Sequence, residues 1–324
     1  MSGIQFDNGR AFEYACVKLF GNQLSALVDV EIHEDEPLIN ARINYENVSE
    51  QMRQQLDDAA AATYYALISL EPTMTESQVF SPVRIRIQSD AQGIAGDVRD
   101  IVIGRDNWEI GISCKHNHSA VKHSRLSATI DFGKDWFGFP CSDQYWNEVR
   151  PLFSELAKIR DDSGKTALWA DDKAERYYVP VLHAFVDELK RLDQQHPGEI
   201  PAKLIHYLMG KNDFYKAITN DSHRVTIIEA ININGTLAKK TVSTKPLIPL
   251  SKLQLPSMLF HVGLVPDSSN KILVAMDKGW QISMRIHNAS SKVEPSLKFD
   301  VQLEAMPISI HSEVIPWDRI APRF

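Results

Sequence analysis

The chain has 324 residues, 44% hydrophobic and 24% charged, with a formal charge of −7, a balance that excludes disorder and fibrous repeats and does not by itself favour a nucleic-acid partner. No run approaches the ~18 apolar residues of a membrane span, and the opening MSGIQFDNGR lacks the basic start and apolar centre of a signal peptide, so a cytoplasmic location is expected. Cys16, Cys114 and Cys141 are three widely spaced cysteines, which argues against a disulfide framework and fits a reducing compartment.

In chain order, NGRAFEYACVKLFGN reads as a helix. Phe12, Ala15, Cys16, Leu19 and Phe20 recur at three-to-four spacing, Asn8 is a candidate cap and Gly21 a candidate stop, while Glu13 lies off the apolar stripe. A second helix is expected over about Ser49 to Leu70, before Pro72, and VRIRIQ from Val83 alternates as a strand does. Gly93 and Gly96 mark a turn into GDVRDIVIGRDNWEIGISCKHNHSAVKHSR, where DIVI and WEIGISCK make a hairpin around Asp106 and Asn107. Helical patterns follow at about Gln144 to Ile159, Ala174 to Gln194 with Pro180 as an interruption, and Pro201 to Met209 with Gly210 past its end. From about Val225 the texture turns to β, with RVTIIEAININ, KILVAM, WQISMRIH and SLKFDVQLEAM. The coarse reading is a mixed α/β core followed by a β-rich C-terminal part.

Charge is unevenly spread. No acid occurs between Glu109 and Asp131, a stretch holding Lys115, Lys122, Arg125, His116, His118 and His123; none occurs between Glu229 and Asp267, which holds Lys239, Lys240, Lys245 and Lys252. Two such stretches in an acidic chain suggest faces reserved for a polyanion, a solvated basic loop being the plainer alternative for the second.

In the hairpin, a two-residue loop places Asp100 opposite Ser113 and a four-residue loop places it opposite Gly111. Either way Asp100, Gly111, Ser113 and Lys115 share one face, and Ile101, Ile103, Ile110, Ile112 and Cys114 form the buried one. A carboxylate and an ammonium at one end of a sheet suit phosphodiester hydrolysis, in which carboxylates bind Mg²⁺ and a lysine orients or helps deprotonate the attacking water. Nucleases of this geometry usually place a second acid two residues before the lysine, where this chain has Ser113. Glu13 and Asp97 are the candidates for the missing ligand. Glu109 is on the correct face, but six strand residues from Lys115 is roughly 20 Å. The string HNH at His116 to His118 cannot reproduce a metal site whose ligands are separated in sequence, and Cys114, His116, His118 and His123 match no common zinc spacing.

At GDVRDIVI, WEIGISCKHNHSAVKHSRLS and DFGKDWFGFPCSDQYW, and again at GRAFEYA, GKNDFYK and GWQISMRIHNASSKVEPSLKFD, the chain resembles the HaeIII-type type II restriction endonucleases. The resemblance implies a PD-(D/E)xK restriction-endonuclease-like fold, an α/β (α+β) core with a mixed central sheet flanked by helices. It also implies Mg²⁺ dependence and cleavage of both strands of double-stranded DNA at GGCC to leave 5′-phosphates. Carried over, the first aspartate of the motif is Asp100, or else Asp97, and its lysine is Lys115; Ser113 stands where the motif has an acid, and Glu13 fits members of the class that supply that acid from a helix.

Guanine O6 and N7 are read by bidentate Arg or Lys at roughly 1–3 kcal/mol per good pair. The candidates for DNA contact are His116, Asn117, His118, Lys122, His123, Ser124 and Arg125 beside the hairpin, with Arg285, His287, Asn288, Ser290 and Lys292 near the C-terminus. The expected division is a nuclease core over 1–228 and a β-rich DNA-recognition part over 229–324, with one continuous domain as the alternative. A palindromic target suggests a homodimer, though sequential nicking by a monomer also reads it, and a companion DNA methyltransferase is expected genetically. The competing functions are a structure-selective repair or resolving nuclease of the same fold and, because of Ser113, a DNA-binding protein without catalytic activity.

Overall fold

A computed structural model of the chain describes residues 2–76, 80–89, 96–117, 121–122, 124–241, 244–288 and 290–319. The apolar stripe that begins at Phe12 builds helix α1 (Ser2–Ser25), which runs through both Asn8 and Gly21 instead of starting and stopping there. Gly21 is kept for a close approach: a Cβ there would lie 2.6 Å from Ile32 Cδ1, on the short strand β1 (Val30–Ile32). Helix α2 (Glu36–Asn47) is capped by Asp35 and escapes the sequence pattern because Ile39 and Ile43 face outward. Helix α3 (Glu50–Leu70) starts where its cap predicts, with Ser49 Oγ accepting from Met52 N.

These helices cover a mixed seven-stranded sheet. Its order is β1, β2 (Val83–Ile87), β3 (Ile101–Arg105), β4 (Trp108–His116), β6 (Phe214–Asn220), β7 (Val225–Ile231) and β12 (His311–Pro316). The β1–β2 and β4–β6 pairs are parallel and the others antiparallel. Phe12, Ala15, Cys16 and Phe20 of α1 pack with Ile101, Ile103, Ile110, Ile112 and Cys114 in one core, the face expected to be buried. The hairpin loop is Asp106-Asn107, with Asp106 in the left-handed region (φ 51) and Ile101 paired with Ile112, so Asp100 does lie opposite Ser113. Strand β6 was not legible as a strand because it is buried along nearly its whole length and does not alternate.

The chain forms two compact units, Met1–Ser119 with Lys211–Leu253 and Ile308–Phe324, and Ala120–Gly210 with Gln254–Pro307. The expected division at 228/229 does not follow these units: it falls inside β7, which is hydrogen-bonded to β6 on one side and β12 on the other. The second unit holds a five-stranded antiparallel sheet, β5 (Arg125–Ser127), β11 (Ser296–Ala305), β10 (Gln281–His287), β9 (Lys271–Met276) and β8 (Leu259–Leu264). Its helices are α4 (Asp143–Asp162), α5 (Val179–Gln195) and α6 (Ile200–Met209). Pro180 sits in the first turn of α5, after a π-helical turn at Ala174–Tyr178, where its missing N–H costs nothing. No helix among the described residues is long and apolar enough to cross a membrane.

Candidate active site

The β3–β4 hairpin fixes Asp100 by its backbone first. Its N–H donates to Ile112 O (2.9 Å) and its carbonyl accepts from Gln88 N (2.8 Å), so the residue is held between the ends of β2 and β4. Its carboxylate Oδ2 then accepts from Cys114 N (2.7 Å), Ser113 Oγ (3.2 Å) and Lys115 Nζ (3.4 Å). Ser113 is thus a hydrogen-bond donor to Asp100 in the place where the motif has an acid.

Helix α1 brings Glu13 to the same charges. Glu13 is buried, its Oε2 accepts from Arg10 Nη1 at 2.8 Å, and burial followed by the negative charge of Asp100 pushes its pKa up to about 8, against the pull of Arg10 and Lys115. Burial pulls the Lys115 ammonium down, but Asp100, Cys114 and Glu13 outweigh it and the net direction is up. Two carboxyl groups and one ammonium therefore act on one another, with Glu13 buried and Asp100 and Lys115 partly exposed. Asp100 Oδ1 and Glu13 Oε1 make no hydrogen bond among the described residues.

Asp97 is engaged elsewhere. Its carboxylate accepts from Arg99 N (3.2 Å), Nε (2.8 Å) and Nη2 (2.6 Å) and from Asn212 Nδ2 (3.1 Å). Burial works upward on it, but Arg99 and the Gln88 side chain outweigh it and hold it below the usual carboxylate range. Arg99 crosses Gly111, where a Cβ would stand 2.0 Å from its Cδ, and donates through Nη1 to Glu109 Oε1 at 2.7 Å. A single arginine thereby occupies both Asp97 and Glu109, and Glu13 is the acid that shares the surroundings of Asp100 and Lys115.

Lys216 and Glu229 escaped the sequence reading. Lys216 of β6 is the register partner of Ser113, and Glu229 of β7 is the partner of Lys216, with 3.7 Å between Nζ and Oε2. Both are buried; burial and then Lys115 pull the Lys216 ammonium down, against Glu229. The signal was a lone charge in each of two otherwise apolar strands, FYKAITN and VTIIEAI.

The basic run beyond β4 is partly structural. His116 is buried with Nε2 2.9 Å from Asp221 Oδ2, and Asn117 donates to the same oxygen (2.8 Å) while accepting from Asp221 N (3.0 Å). These two residues tie the ends of β4 and β6, which removes His116 from the exposed surface. His118 and His123 lie outside the described residues.

In the second unit Lys122 donates to Tyr207 O (2.9 Å) and lies 3.7 Å from that ring's centroid, and buried Ser124 accepts from Tyr207 Oη (3.1 Å). Arg125 is exposed and donates to Ser296 Oγ (2.9 Å) and Glu294 (3.3 Å), and exposed Arg285 donates to Asp300 (3.2 Å). Asn288 accepts from Lys173 (3.1 Å) and from Tyr178 Oη (2.9 Å), Ser290 O accepts from Trp169 Nε1 (3.1 Å), and His287 Nδ1 lies 2.9 Å from Asn288 O. That loop is pinned by its own unit; Arg125, Arg285 and Lys292 are the members that face solvent.

Among the described residues no group of three or more His, Cys, Asp or Glu side chains could hold a metal. A pair of carboxylates is nevertheless a donor set for a hard cation that keeps several waters, and each of the two here has an open oxygen.

Comparison with known proteins agrees with this architecture. The HaeIII restriction endonuclease family model matches residues 9–307. The type II restriction enzyme HaeIII of Haemophilus aegyptius is 36% identical over 322 residues, covering 98% of this chain and 100% of that protein. No solved structure matches. With a family match over most of its length and a relative aligned end to end, the chain belongs to the HaeIII restriction endonuclease family.

Proposed function

We propose that this chain is a type II restriction endonuclease that hydrolyses both strands of double-stranded DNA at GGCC and leaves 5′-phosphates, with Mg²⁺ as its cofactor. The observation that carries the reading is the meeting of Asp100, Glu13 and Lys115 at the end of the β3–β4 hairpin. Asp100 and Glu13 would hold the ion, which when bound supplies Lewis-acid stabilisation of charge on the phosphate. Water attacks phosphorus in line and gives up a proton to solvent, the P–O3′ bond breaks, and the 3′ oxygen leaves by taking a proton from solvent. Lys115, held up as an ammonium by its carboxylate neighbours, serves as a hydrogen-bond donor and positive charge to the attacking water and the phosphoryl oxygens rather than as a base. Ser113 and the Cys114 N–H keep the Asp100 carboxylate at one angle.

A homodimer fits a two-fold symmetric target, and a methyltransferase of the same specificity would protect the host's own sites. The test is incubation of the purified protein with unmethylated plasmid in Mg²⁺ or EDTA, with sequencing of fragment ends. Discrete Mg²⁺-dependent fragments ending at GGCC are expected. Intact plasmid across several divalent ions would overturn the catalytic reading, and ragged ends at branched DNA would replace it with a structure-selective nuclease.

A further inference from the structure

The hairpin end remote from Lys115 opens on a polar cavity of about 590 Å³, whose walls include Asn107, Glu109, Asn212, Asp213, Lys239 and Lys240. Its acids are already matched. Glu109 receives Arg99 (2.7 Å) and Arg86 (3.5 Å), and Asp213 accepts from Asn234 N (2.8 Å), Thr236 N (2.8 Å) and Thr236 Oγ1 (2.8 Å). Lys239 and Lys240 are exposed, and neither ammonium makes a hydrogen bond or an ion pair among the described residues. They stand in the acid-free stretch between Glu229 and Asp267, so no nearby acid in sequence offsets them. What the cavity presents is two exposed lysines beside acids that already have partners, Lys239 acting in addition on the buried carboxylate of Glu71.

Glu109 and Lys115 alternate on the same face of β4, six residues apart, which is about 20 Å. Along duplex DNA that distance corresponds to about six base-pair steps at ~3.4 Å each. With the duplex running along β4, a phosphate over the cavity belongs to sequence outside a GGCC target cut at Lys115. We propose that Lys239 and Lys240 form a second phosphate-binding site that grips the backbone of the DNA flanking the target, so that affinity depends on flank length. The inference rests on the DNA-cleaving reading above and adds to it a site away from the chemistry.

The test uses the full chain with Ca²⁺ in place of Mg²⁺ and two fluorescent GGCC duplexes, one with about three and one with about twelve flanking base pairs on each side. The wild-type protein is expected to bind the longer duplex more tightly and with a steeper fall in affinity as salt rises. In the K239Q/K240Q double variant that advantage disappears, and the salt slope on the longer duplex falls by about 0.9 for each lysine that meets a phosphate. A variant that keeps the full wild-type difference between the duplexes overturns the inference while leaving the nuclease reading intact. Wild-type protein that binds neither duplex overturns the reading itself, and the inference with it.

Discussion

At the residue scale, Glu13 gives the site a pH signature. Its ordinary value is 4.5 and its value in the folded chain is about 8, so between these limits the native state keeps a proton that the unfolded chain has lost. Stability in EDTA should therefore fall as pH rises through that window, by an amount on the order of several kcal/mol. Melting curves across the window should show the slope in the wild type and its loss in Glu13→Gln. Mg²⁺ should raise the melting temperature most at the top of the window, where it competes with the fewest protons; a flat wild-type profile would remove Glu13 from the charge cluster. For cleavage, Lys115→Ala and Asp100→Ala should retain GGCC binding and lose on the order of 10²–10³-fold or more in rate, and wild-type turnover by either variant would refute the assignment. Asp100 and Lys115 were legible because strand alternation plus a two-residue loop determines which residues share a face. That Arg99 reaches across Gly111 to pair with Asp97 and Glu109, leaving Glu13 beside Asp100 and Lys115, was not, because no spacing rule describes that path.

Among elements, the hairpin packs closely at Gly111. A methyl group at position 111 would stand 2.0 Å from Arg99 Cδ, so Gly111→Ala must displace the arginine and free Asp97 and Glu109 together. A loss of about 1–3 kcal/mol is expected, read as a lower midpoint of urea unfolding with an unchanged slope. A stability equal to wild type would mean that Arg99 has another resting place. Elements with a strong period or a cap were readable: α3 from Ser49, α6 from the Pro and Gly at its ends, and β10 from the alternation of Trp280, Ile282, Met284 and Ile286. Ser283 departs from that alternation and is buried. The strands β1 and β5 were missed because they are short, β6 because it is buried along nearly its whole length, and β8 and β12 because they are mostly exposed or half-buried, so none of them carries an alternation to read.

For the whole molecule, the sheet behind the active site is assembled from three separate stretches of chain, and a β-rich tail seen in sequence does not reveal that its last strand returns to the first unit. A fragment of residues 1–228 contains the whole β3–β4 hairpin but severs β7 and lacks β12. It should fail to give the dispersed amide spectrum of a folded protein, whereas a stable 1–228 fragment would show that the sheet closes without its outer strand.

The parallel pairing of β4 with β6 has a further consequence, in the order of synthesis. Strand β4 ends at His116 and its partner begins at Phe214. A ribosome adding 5–20 residues per second needs roughly five to twenty seconds to make the intervening segment. Throughout that interval β4 has an open hydrogen-bonding edge on its β6 side, the kind of edge that recruits foreign strands. Slower translation through residues 117–213 lengthens the exposure of that edge, and the hairpin cannot gain its β6 neighbour until that gap has been translated.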